Sequence, residues 1–365
     1  MSEWQTFCLK DLGKIVGGAT PSTNNPKNYG NKIAWITPKD LSTLQGRYIK
    51  KGSRSISRLG FKSCSCVLLP KHAILFSSRA PIGYVAIAKK RLCTNQGFKS
   101  IIPNKKIYFE FLYYLLKYHK DNISNIGGGT TFKEVSGATL GLFKVKIPPT
   151  YYEQQKIART LSILDQKIEN NHKINKLLHT LAYKIYEYYF KYKPKNAKLE
   201  QIIIENPKSS IMVKNAQKTQ DKYPFFTSGD NILSYPKAII DGRNCFLNTG
   251  GNAGIKFYVG KASYSTDTWC ICANEFSDYL YLLLSSIKNH INQSFFQGTS
   301  LKHLQKNLLK KYPIYMPSAH EIKKFNQIIM PLLTLISINT RTSKKLEQIK
   351  DFLLPLLLKQ QVKPQ

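Results

Sequence analysis

Apolar side chains recur at alternating steps of four and three residues in two long stretches of the chain. The positions are Ile157, Leu161, Leu164, Ile168 and Asn171 in the first stretch, and Phe325, Ile329, Leu332, Ile336 and Asn339, each 168 residues later, in the second. This heptad spacing predicts two long helices, over about 150–191 and 318–360. We expect the two sets to pack against each other as an antiparallel pair. The asparagine in each seam either fixes the register of the pair or is a tolerated polar interruption.

The segments before the two helices also repeat. GTTFK at residues 129–133 matches GTSLK at residues 298–302, and Pro148 matches Pro317 at the same offset of 169. Short apolar runs between prolines and glycines predict strands in these segments, with short helices over 109–117 and 278–288. The sequence therefore predicts an α+β fold.

The predicted architecture is a pseudo-twofold tandem repeat, in which two similar globular domains are joined by the two long antiparallel helices. The predicted parts are a first domain (1–149), a first spacer helix with its linker (150–197), a second domain (198–317) and a second spacer helix with its tail (318–365). Pro194 should end the first helix. Pro331 and Pro355 fall inside the second, which we therefore predict to be kinked or broken.

Motifs for catalysis and for metal binding are absent from the sequence. It has no Walker phosphate loop, no glycine-rich dinucleotide turn after a strand, and no Asn/Asp-Pro-Pro-aromatic string of amino-methyltransferases. The closely spaced cysteine pairs, at 64 and 66 and at 270 and 272, lack a nearby histidine pair and are better explained as buried strand thiols than as a metal site. A binding protein without a catalytic site or metal is expected.

Nothing in the sequence indicates a membrane or a secretory route. No uncharged apolar run reaches the ~20 residues of a membrane span. The first residues, MSEWQTFCLKDL, lack a basic and then apolar signal pattern. Seven scattered cysteines favour a reducing compartment, so we expect a cytoplasmic protein.

Positive charge is abundant and unevenly distributed. Lys and Arg number 55 against 21 Asp and Glu, a formal charge of +34. Residues 1–150 hold 24 basic and 6 acidic side chains, a net +18, whereas residues 198–317 hold 14 and 8, a net +6. A codon bias toward lysine would spread the excess evenly. The concentration in the first domain predicts a phosphate-facing surface that includes Lys50, Lys51 and Arg54, although a solvated face is the simpler alternative for any single lysine.

Reading of base edges needs polar side chains on exposed loops. The candidates in the first domain are Lys39, Asp40, Ser78, Arg79, Asn95, Gln96, Thr130 and Thr131, and those in the second domain are Asp230, Asn252, Thr266, Asp267, Thr299 and Ser300. Lys99, Lys133 and Lys302 are further candidates for contact with DNA. Each could equally be an ordinary polar turn, but several of them recur at equivalent places of the repeat.

Several strings resemble the specificity subunits of type I restriction-modification systems. They are WITPKDL, SSRAPIGYVAI, NQGFKSI, and GGTTFKEVS running into KIPPTYYEQQKIARTLSILDQKIE, and the second repeat carries more degenerate versions. The resemblance covers nearly the full chain. It implies two target recognition domains, each of which reads one half of a split sequence in double-stranded DNA, and two helices that act as a spacer.

The resemblance also implies partners and the absence of cofactors in this chain. Modification (methyltransferase) subunits, expected to be two, would dock on it, together with restriction subunits. S-adenosylmethionine and ATP would be bound only by those partners. The alternative from another class is a lysine-rich coiled-coil scaffold that binds RNA or acidic protein.

Overall fold

The computed structural model describes residues 3–79, 81–129, 133–216 and 222–363. The chain divides into two compact units: unit 1 is Met1–Glu169 with Leu346–Gln365, and unit 2 is Asn170–Lys345. Each unit therefore contains one globular part and a segment of both long helices.

The globular part of unit 1 is built from ten strands and six short helices. The strands are β1 Gln5–Cys8, β2 Gly13–Gly17, β3 Tyr29–Ile36, β4 Tyr48–Ile49, β5 Arg54–Ile56, β6 Ile74–Phe76, β7 Val85–Ala88, β8 Cys93–Thr94, β9 Lys99–Pro103 and β10 Lys144–Ile147. The helices are α1 Leu9–Leu12, α2 Pro38–Ser42, α3 Arg58–Lys62, α4 Phe109–Tyr118, α5 Lys120–Asn125 and α6 Gly137–Leu142. The sheets have the orders β2-β9-β6-β7-β4, β5-β3-β8 and β1-β10.

The first long helix, α7, covers Tyr151–Tyr186 and continues into a π-helical turn at Glu187–Lys191. It ends before Pro194, as predicted.

The globular part of unit 2 follows. Its elements are β11 Ala197–Lys198, β12 Ile204–Glu205, β13 Tyr223–Phe226, β14 Leu233–Tyr235, β15 Arg243–Asn248, β16 Ile255–Val259, β17 Ser263–Tyr264, β18 Thr268–Cys272, β19 Phe296–Gln297, β20 His303–Leu304 and β21 Pro313–Ile314, with helices α8 Ser277–Ser286, α9 Lys288–Ser294 and α10 Lys306–Lys310. The second long helix, α11, covers Ala319–Leu358.

The two globular parts share one topology. The antiparallel order β2-β9-β6-β7 of unit 1 corresponds to β12-β18-β15-β16 of unit 2. In β5-β3-β8 and in β14-β13-β17 the central strand has one antiparallel and one parallel neighbour. Strand β4 extends the larger sheet of unit 1, and no counterpart of it is found in the larger sheet among the described residues of unit 2. The predicted α+β tandem repeat is confirmed.

The helix segments pair in an antiparallel way inside each unit. In unit 2, Asn171 Nδ2 donates to Ser343 Oγ at 3.1 Å, while the rings of Phe190 and Phe325 meet edge to face with centroids 4.9 Å apart. In unit 1, Lys350 Nζ donates to Asp165 Oδ1 at 2.7 Å. Within unit 2 the two helix segments therefore run in opposite directions, because later residues of the first long helix contact earlier residues of α11.

The predicted pairing of the two seam sets is wrong in its register. Ile157 and Leu161 are buried in the core of unit 1 with Leu357 and Leu358, at the far end of α11. Phe325, Ile329 and Ile336 are buried in the core of unit 2, to which the first long helix contributes Ala182 and Tyr186 of α7 and Phe190 of the π-helical turn. In an antiparallel pair the start of one helix meets the end of the other, so two sets from the same part of each repeat cannot face each other.

Other seam positions differ in burial. Ile168 is buried, whereas Leu164 and Leu332 are only half-buried, and Leu333 takes the buried place beside Leu332. The polar seam residues pair across the helices of unit 2. Asn339 Nδ2 donates to Asn175 Oδ1 at 2.9 Å, and Asn171 bonds Ser343, so Asn171 and Asn339 each have a partner on the other helix. These satisfied bonds favour the register role over a tolerated interruption.

The second helix was predicted to be kinked or broken, and the break is wrong. Helix α11 is continuous over 40 residues and includes both Pro331 and Pro355. Pro331 is exposed, and buried seam residues on both sides of it hold the helix against the core. This packing offsets the backbone hydrogen bond that a proline cannot make.

Candidate nucleic-acid interface

In unit 1, four separate chain segments that hold predicted DNA-contacting residues lie side by side. We call residues 37–54, 77–79, 94–99 and 133–135 loop surface 1. Ser78 is its centre: the Ser78 backbone N–H donates to Gly97 O at 2.8 Å, and Val135 N–H donates to Ser78 O at 2.9 Å. The Ser78 side chain is fully buried, and its hydroxyl donates to the same Gly97 carbonyl at 3.3 Å. Ser78 therefore organises the loops and cannot itself reach a base, which corrects its prediction as a DNA contact.

Arg79 and Lys99 converge on one carboxylate of loop surface 1. Arg79 Nη1 lies 3.7 Å from Glu134 Oε2, and Lys99 Nζ lies 3.3 Å from Glu134 Oε1. Residues 79 and 134 also form a backbone bridge, so the base of the Arg79 side chain is fixed. The Arg79 side chain remains more than a third exposed. The Arg79 side chain is thus fixed in position and still accessible. An arginine with two hydrogen-bond donors side by side is the group that best reads guanine in a major groove.

Asp40 stabilises the loop rather than extending from it. Thr37 and Asp40 form a capping box at the start of α2, in which Thr37 N–H and Oγ1 each donate to Asp40 Oδ2 at 2.8 Å. Ser53 N–H donates to Asp40 Oδ1 at 2.7 Å. Burial alone would raise the pKa of Asp40, but the hydrogen bonds from Ser53 and Thr37 outweigh it and hold the pKa below its ordinary value. Both of its carboxylate oxygens accept hydrogen bonds inside the protein, which argues against a base contact.

The hydrogen bond from Ser53 N–H to Asp40 also places the basic residues Lys50, Lys51 and Arg54 next to α2. Ser53 lies between Lys51 and Arg54, and the side chains of Lys39, Lys50, Lys51 and Arg54 are all exposed. Among the residues that the structure describes, none of the three lysines has an acidic side chain within ion-pair distance. Arg54 lies over the ring of Tyr29 at 6.0 Å. These cations are free to meet phosphates.

The remaining candidates of the first domain have mixed positions. Asn95 Oδ1 accepts from Gly97 N–H at 3.1 Å in a local turn, and the exposed Gln96 accepts from the Thr20 hydroxyl. Lys133 is exposed beside Glu134. Thr130 and Thr131 lie outside the described residues.

Unit 2 carries an equivalent surface, which we call loop surface 2: residues 227–230, 248–254, 265–267 and 298–304. Thr249 is its centre. Its backbone N–H donates to Asp267 O at 3.3 Å, Leu304 N–H donates to Thr249 O at 2.9 Å, and its hydroxyl donates to Asp267 O at 2.7 Å. The Ser228 hydroxyl bonds the same Asp267 carbonyl.

The backbone scaffold of the two loop surfaces is the same. The pair of bonds from Ser78 to Gly97 and from Val135 to Ser78 recurs as the pair from Thr249 to Asp267 and from Leu304 to Thr249. The side chains displayed on it differ. Gly250 and His303 form the bridge that Arg79 and Glu134 form in unit 1, so loop surface 2 has no arginine at this place.

The predicted residues of the second domain are mostly exposed. They are Asp230, Asn252, Thr266, Asp267, Thr299, Ser300 and Lys302. Asp267 is partly engaged, because its carboxylate accepts from the Ser265 hydroxyl. Lys302 O accepts from Gly251 N–H at 2.9 Å, which ties two of the predicted loops together.

Sequence reasoning missed several members of these surfaces. Glu134 is not among the predicted contacts, although it directly follows Lys133. Lys256 lies in a strand pattern, yet its Nζ donates to Thr227 O at 2.8 Å and Asn248 Oδ1 at 3.0 Å. Burial lowers the pKa of Lys256. Only its position four residues after the repeated loop at 248–252 could have indicated its role.

The described residues contain no group of three or more His, Cys, Asp or Glu side chains arranged to hold a metal ion. Nor does any described helix combine the length and the hydropathy needed to cross a bilayer.

Comparisons with known proteins agree on one family. A family model for the type I restriction modification DNA specificity domain matches residues 1–180 and 195–348. The type I restriction enzyme MjaIX specificity subunit of Methanocaldococcus jannaschii is 32% identical over 98% of this chain and 93% of its own length. This chain belongs to the type I restriction-modification specificity subunits.

Two further matches are narrower in what they show. The type I restriction enzyme HindI specificity subunit of Haemophilus influenzae is 30% identical over 46% of this chain and 37% of its own. The crystal structure of an S subunit from M. genitalium superposes with a TM-score of 0.65 at 17% identity, over 97% of this chain and 96% of that one, which shows a common fold.

Membership of the family identifies the kind of protein. A specificity subunit is the non-catalytic DNA-recognition component of a type I restriction-modification system, and it assembles with the other subunits of that system. The coiled-coil scaffold that binds RNA or acidic protein has no support among these matches.

Proposed function

We propose that loop surface 1 and loop surface 2 each read one half-site of a split target in double-stranded DNA. The observation that carries this proposal is the shared backbone scaffold with unlike side chains. A common scaffold presents loops to DNA in the same way, while different side chains select different bases. The two half-sites should therefore be unrelated in sequence.

The two loop surfaces should contribute unequally to the affinity for DNA. Loop surface 1 carries the exposed cations Lys39, Lys50, Lys51 and Arg54, as well as Arg79. Loop surface 2 presents hydroxyl and amide groups, the carboxylates of Asp230 and Asp267, and Lys302. Phosphate attraction should thus come mainly from the first domain.

The partners follow from the family and from the absence of catalytic motifs in this sequence. We infer that two modification subunits dock on the chain, one for each repeat, and that restriction subunits join the complex. S-adenosylmethionine and ATP would be bound by those partners, with no cofactor held by this chain. The complex would act on DNA in the cytoplasm.

The experiment is expression of the chain with its modification subunit in a host that lacks other methyltransferases, followed by methylome sequencing. The proposal predicts one methylated motif made of two unlike half-sites with an unread gap of fixed length. A single undivided motif, or no motif while the purified complex is intact, would contradict it.

A further inference from the structure

Each unit contains an arginine that is enclosed between the globular part and a long helix. Arg47 belongs to the 37–54 segment of loop surface 1, but its side chain is buried against α4 and α7, and Arg243 lies outside loop surface 2. Arg47 of unit 1 is 3% exposed, and the side chain of Arg243 of unit 2 is 17% exposed. Arginine is among the residues least often buried, and an enclosed one needs partners that justify its desolvation.

Arg47 joins the first globular part to α7. Its Nη1 lies 3.0 Å from Glu110 Oε1 on α4, and its Nε lies 3.4 Å from Glu169 Oε1 and 3.9 Å from Asp165 Oδ2 on α7. The Arg47 backbone N–H also donates to Glu169 Oε1 at 3.0 Å. One residue thus links a helix of the globular part to two successive turns of the long helix.

The contact extends to the second long helix through Asp165. This carboxylate accepts from Tyr114 Oη at 2.6 Å and from Lys350 Nζ of α11 at 2.7 Å. Burial opposes the charge of Arg47, but the oxygens of Tyr114, Glu110, Glu169 and Asp165 outweigh it and raise the pKa of Arg47 above its ordinary value. The arginine is therefore charged at every pH at which the protein is folded.

Arg243 makes the corresponding link in unit 2. Its Nε and Nη2 form a two-point contact with the Asp278 carboxylate of α8, each at 2.5 Å. Its Nη1 donates to Thr334 Oγ1 at 3.0 Å and its Nη2 to Met330 O at 3.2 Å, both on α11. The globular part is again tied to the long helix that follows it.

The acids of the two links are repeat-equivalent and the arginines are not. Glu110 and Asp278 are 168 residues apart, the offset that also relates the helix seams. Arg47 directly precedes β4, for which the part of unit 2 that the structure describes shows no equivalent strand, whereas Arg243 opens β15. The two repeats therefore reach the same connection from different strands.

A buried, directional ion pair has a different effect from an apolar contact. Apolar packing stabilises a contact but allows the packed elements to shift relative to each other. A guanidinium group makes directional hydrogen bonds, so it restricts the positions of the carboxylates that it contacts. If the proposed reading of split DNA holds, the angle between each globular part and its helix decides where its half-site must lie.

We propose that Arg47 and Arg243 are positioning residues, which fix each recognition domain on its own long helix and thereby set the gap length that the complex accepts. This inference rests on the proposed function. Neither arginine touches DNA in this account, and both act through the loop surfaces that they orient.

The test compares gap selectivity with half-site binding in the complex of the full chain and its modification subunits. After methylome sequencing has defined the target, methylation rates are measured on duplexes with the native gap and with gaps one base pair longer or shorter. Arg47→Met should lower the preference for the native gap by roughly tenfold or more. Affinity for a duplex with the first half-site alone should change much less.

Two further variants keep the test decisive if Arg47→Met does not fold. Glu169→Gln removes the helix charge and leaves the Arg47–Glu110 contact, and it should relax gap selectivity in a folded complex. Arg47→Lys keeps the charge without the fork, so it should restore selectivity only in part. Arg243→Met should lower the preference for the native gap. Affinity for a duplex with the second half-site alone should change much less. Arg159→Met, an exposed arginine of α7, is the matched control and should leave selectivity unchanged.

The outcomes separate this inference from the proposed function. If the wild-type complex reads no split target, the proposed function fails. If it reads one and Glu169→Gln and the folded arginine variants keep the native gap preference, the positioning role is wrong. Equal losses of half-site affinity and of gap selectivity would show that the arginines only support folding of the domain.

Discussion

At the scale of single residues, the structure separates side chains that are exposed on the loop surfaces from side chains that build the loops. The sequence identified segments that the structure brings together, because polar loops recur at equivalent places of the repeat. It could not separate Ser78 from Arg79, since burial of one and exposure of its neighbour depend on Gly97 and Val135 from distant parts of the chain. For the same reason Asp40 was predicted as a contact although Ser53 and Thr37 occupy it.

Arg79 should determine one base of the first half-site. Because its guanidinium is held beside Glu134 and remains accessible, we expect it to read a guanine, and Arg79→Ala should weaken discrimination at that position by about 1–3 kcal/mol. Methylome sequencing should show one relaxed position in the first half-site and an unchanged second half-site. Lys133→Ala is the control, with weaker binding to every sequence and no relaxed position.

Gln154 should stabilise the junction between the first globular part and α7. Its buried side chain accepts from Tyr108 N–H at 2.8 Å and donates to Lys106 O at 3.0 Å and Pro148 O at 3.3 Å. Gln154→Leu leaves these groups without partners and should lower the free energy of unfolding by about 1–3 kcal/mol. The neighbouring Gln155 is exposed, and Gln155→Leu should change it by less than about 0.5 kcal/mol in chemical denaturation.

At the scale of elements, the helices were predictable and their pairing was not. A heptad repeat reports which face of a helix is apolar, and it does so in both copies. It carries no information on which turn of one helix faces which turn of the other, so Ile157 was matched with Phe325 instead of with the end of α11. The continuity of α11 through Pro331 likewise depends on packing that the sequence does not display.

Burial now ranks the seam positions. Leu161 is fully buried in the core of unit 1, so Leu161→Ala should lower the free energy of unfolding by about 2–5 kcal/mol. Leu164 is only half-buried, and Leu164→Ala should cost clearly less, below about 2 kcal/mol. Thermal and chemical denaturation of the two variants under the same conditions would check this order. Equal losses would indicate that Leu164 is covered more completely than the structure describes.

At the scale of the whole molecule, the uneven charge has a measurable consequence. If Lys50, Lys51 and Arg54 face phosphates, log K should fall by ~0.9 per log unit of salt for each contact. Replacing all three with Ala should reduce that slope by up to about three contacts on every DNA sequence tested. The matched control is replacement of Lys302 in loop surface 2, which should have a smaller effect. An unchanged slope in the triple variant would place loop surface 1 away from the backbone of DNA.

The tandem repeat itself was visible in the sequence, as was the division into two globular parts. What the sequence could not give is the scaffold that the two loop surfaces share, because it consists of backbone hydrogen bonds between segments far apart in the chain. That scaffold supports the central claim that the two units are independent readers built on one plan.

The most direct measurement of this claim is the methylome of a hybrid in which residues 1–149 are replaced by the first domain of another type I specificity subunit. The parent chain and the reciprocal exchange of residues 198–317 are measured in parallel, each with the same modification subunit. We predict that the first exchange replaces one half-site and leaves the other half-site intact, and that the reciprocal exchange does the opposite. A change of both half-sites after either exchange would contradict the account.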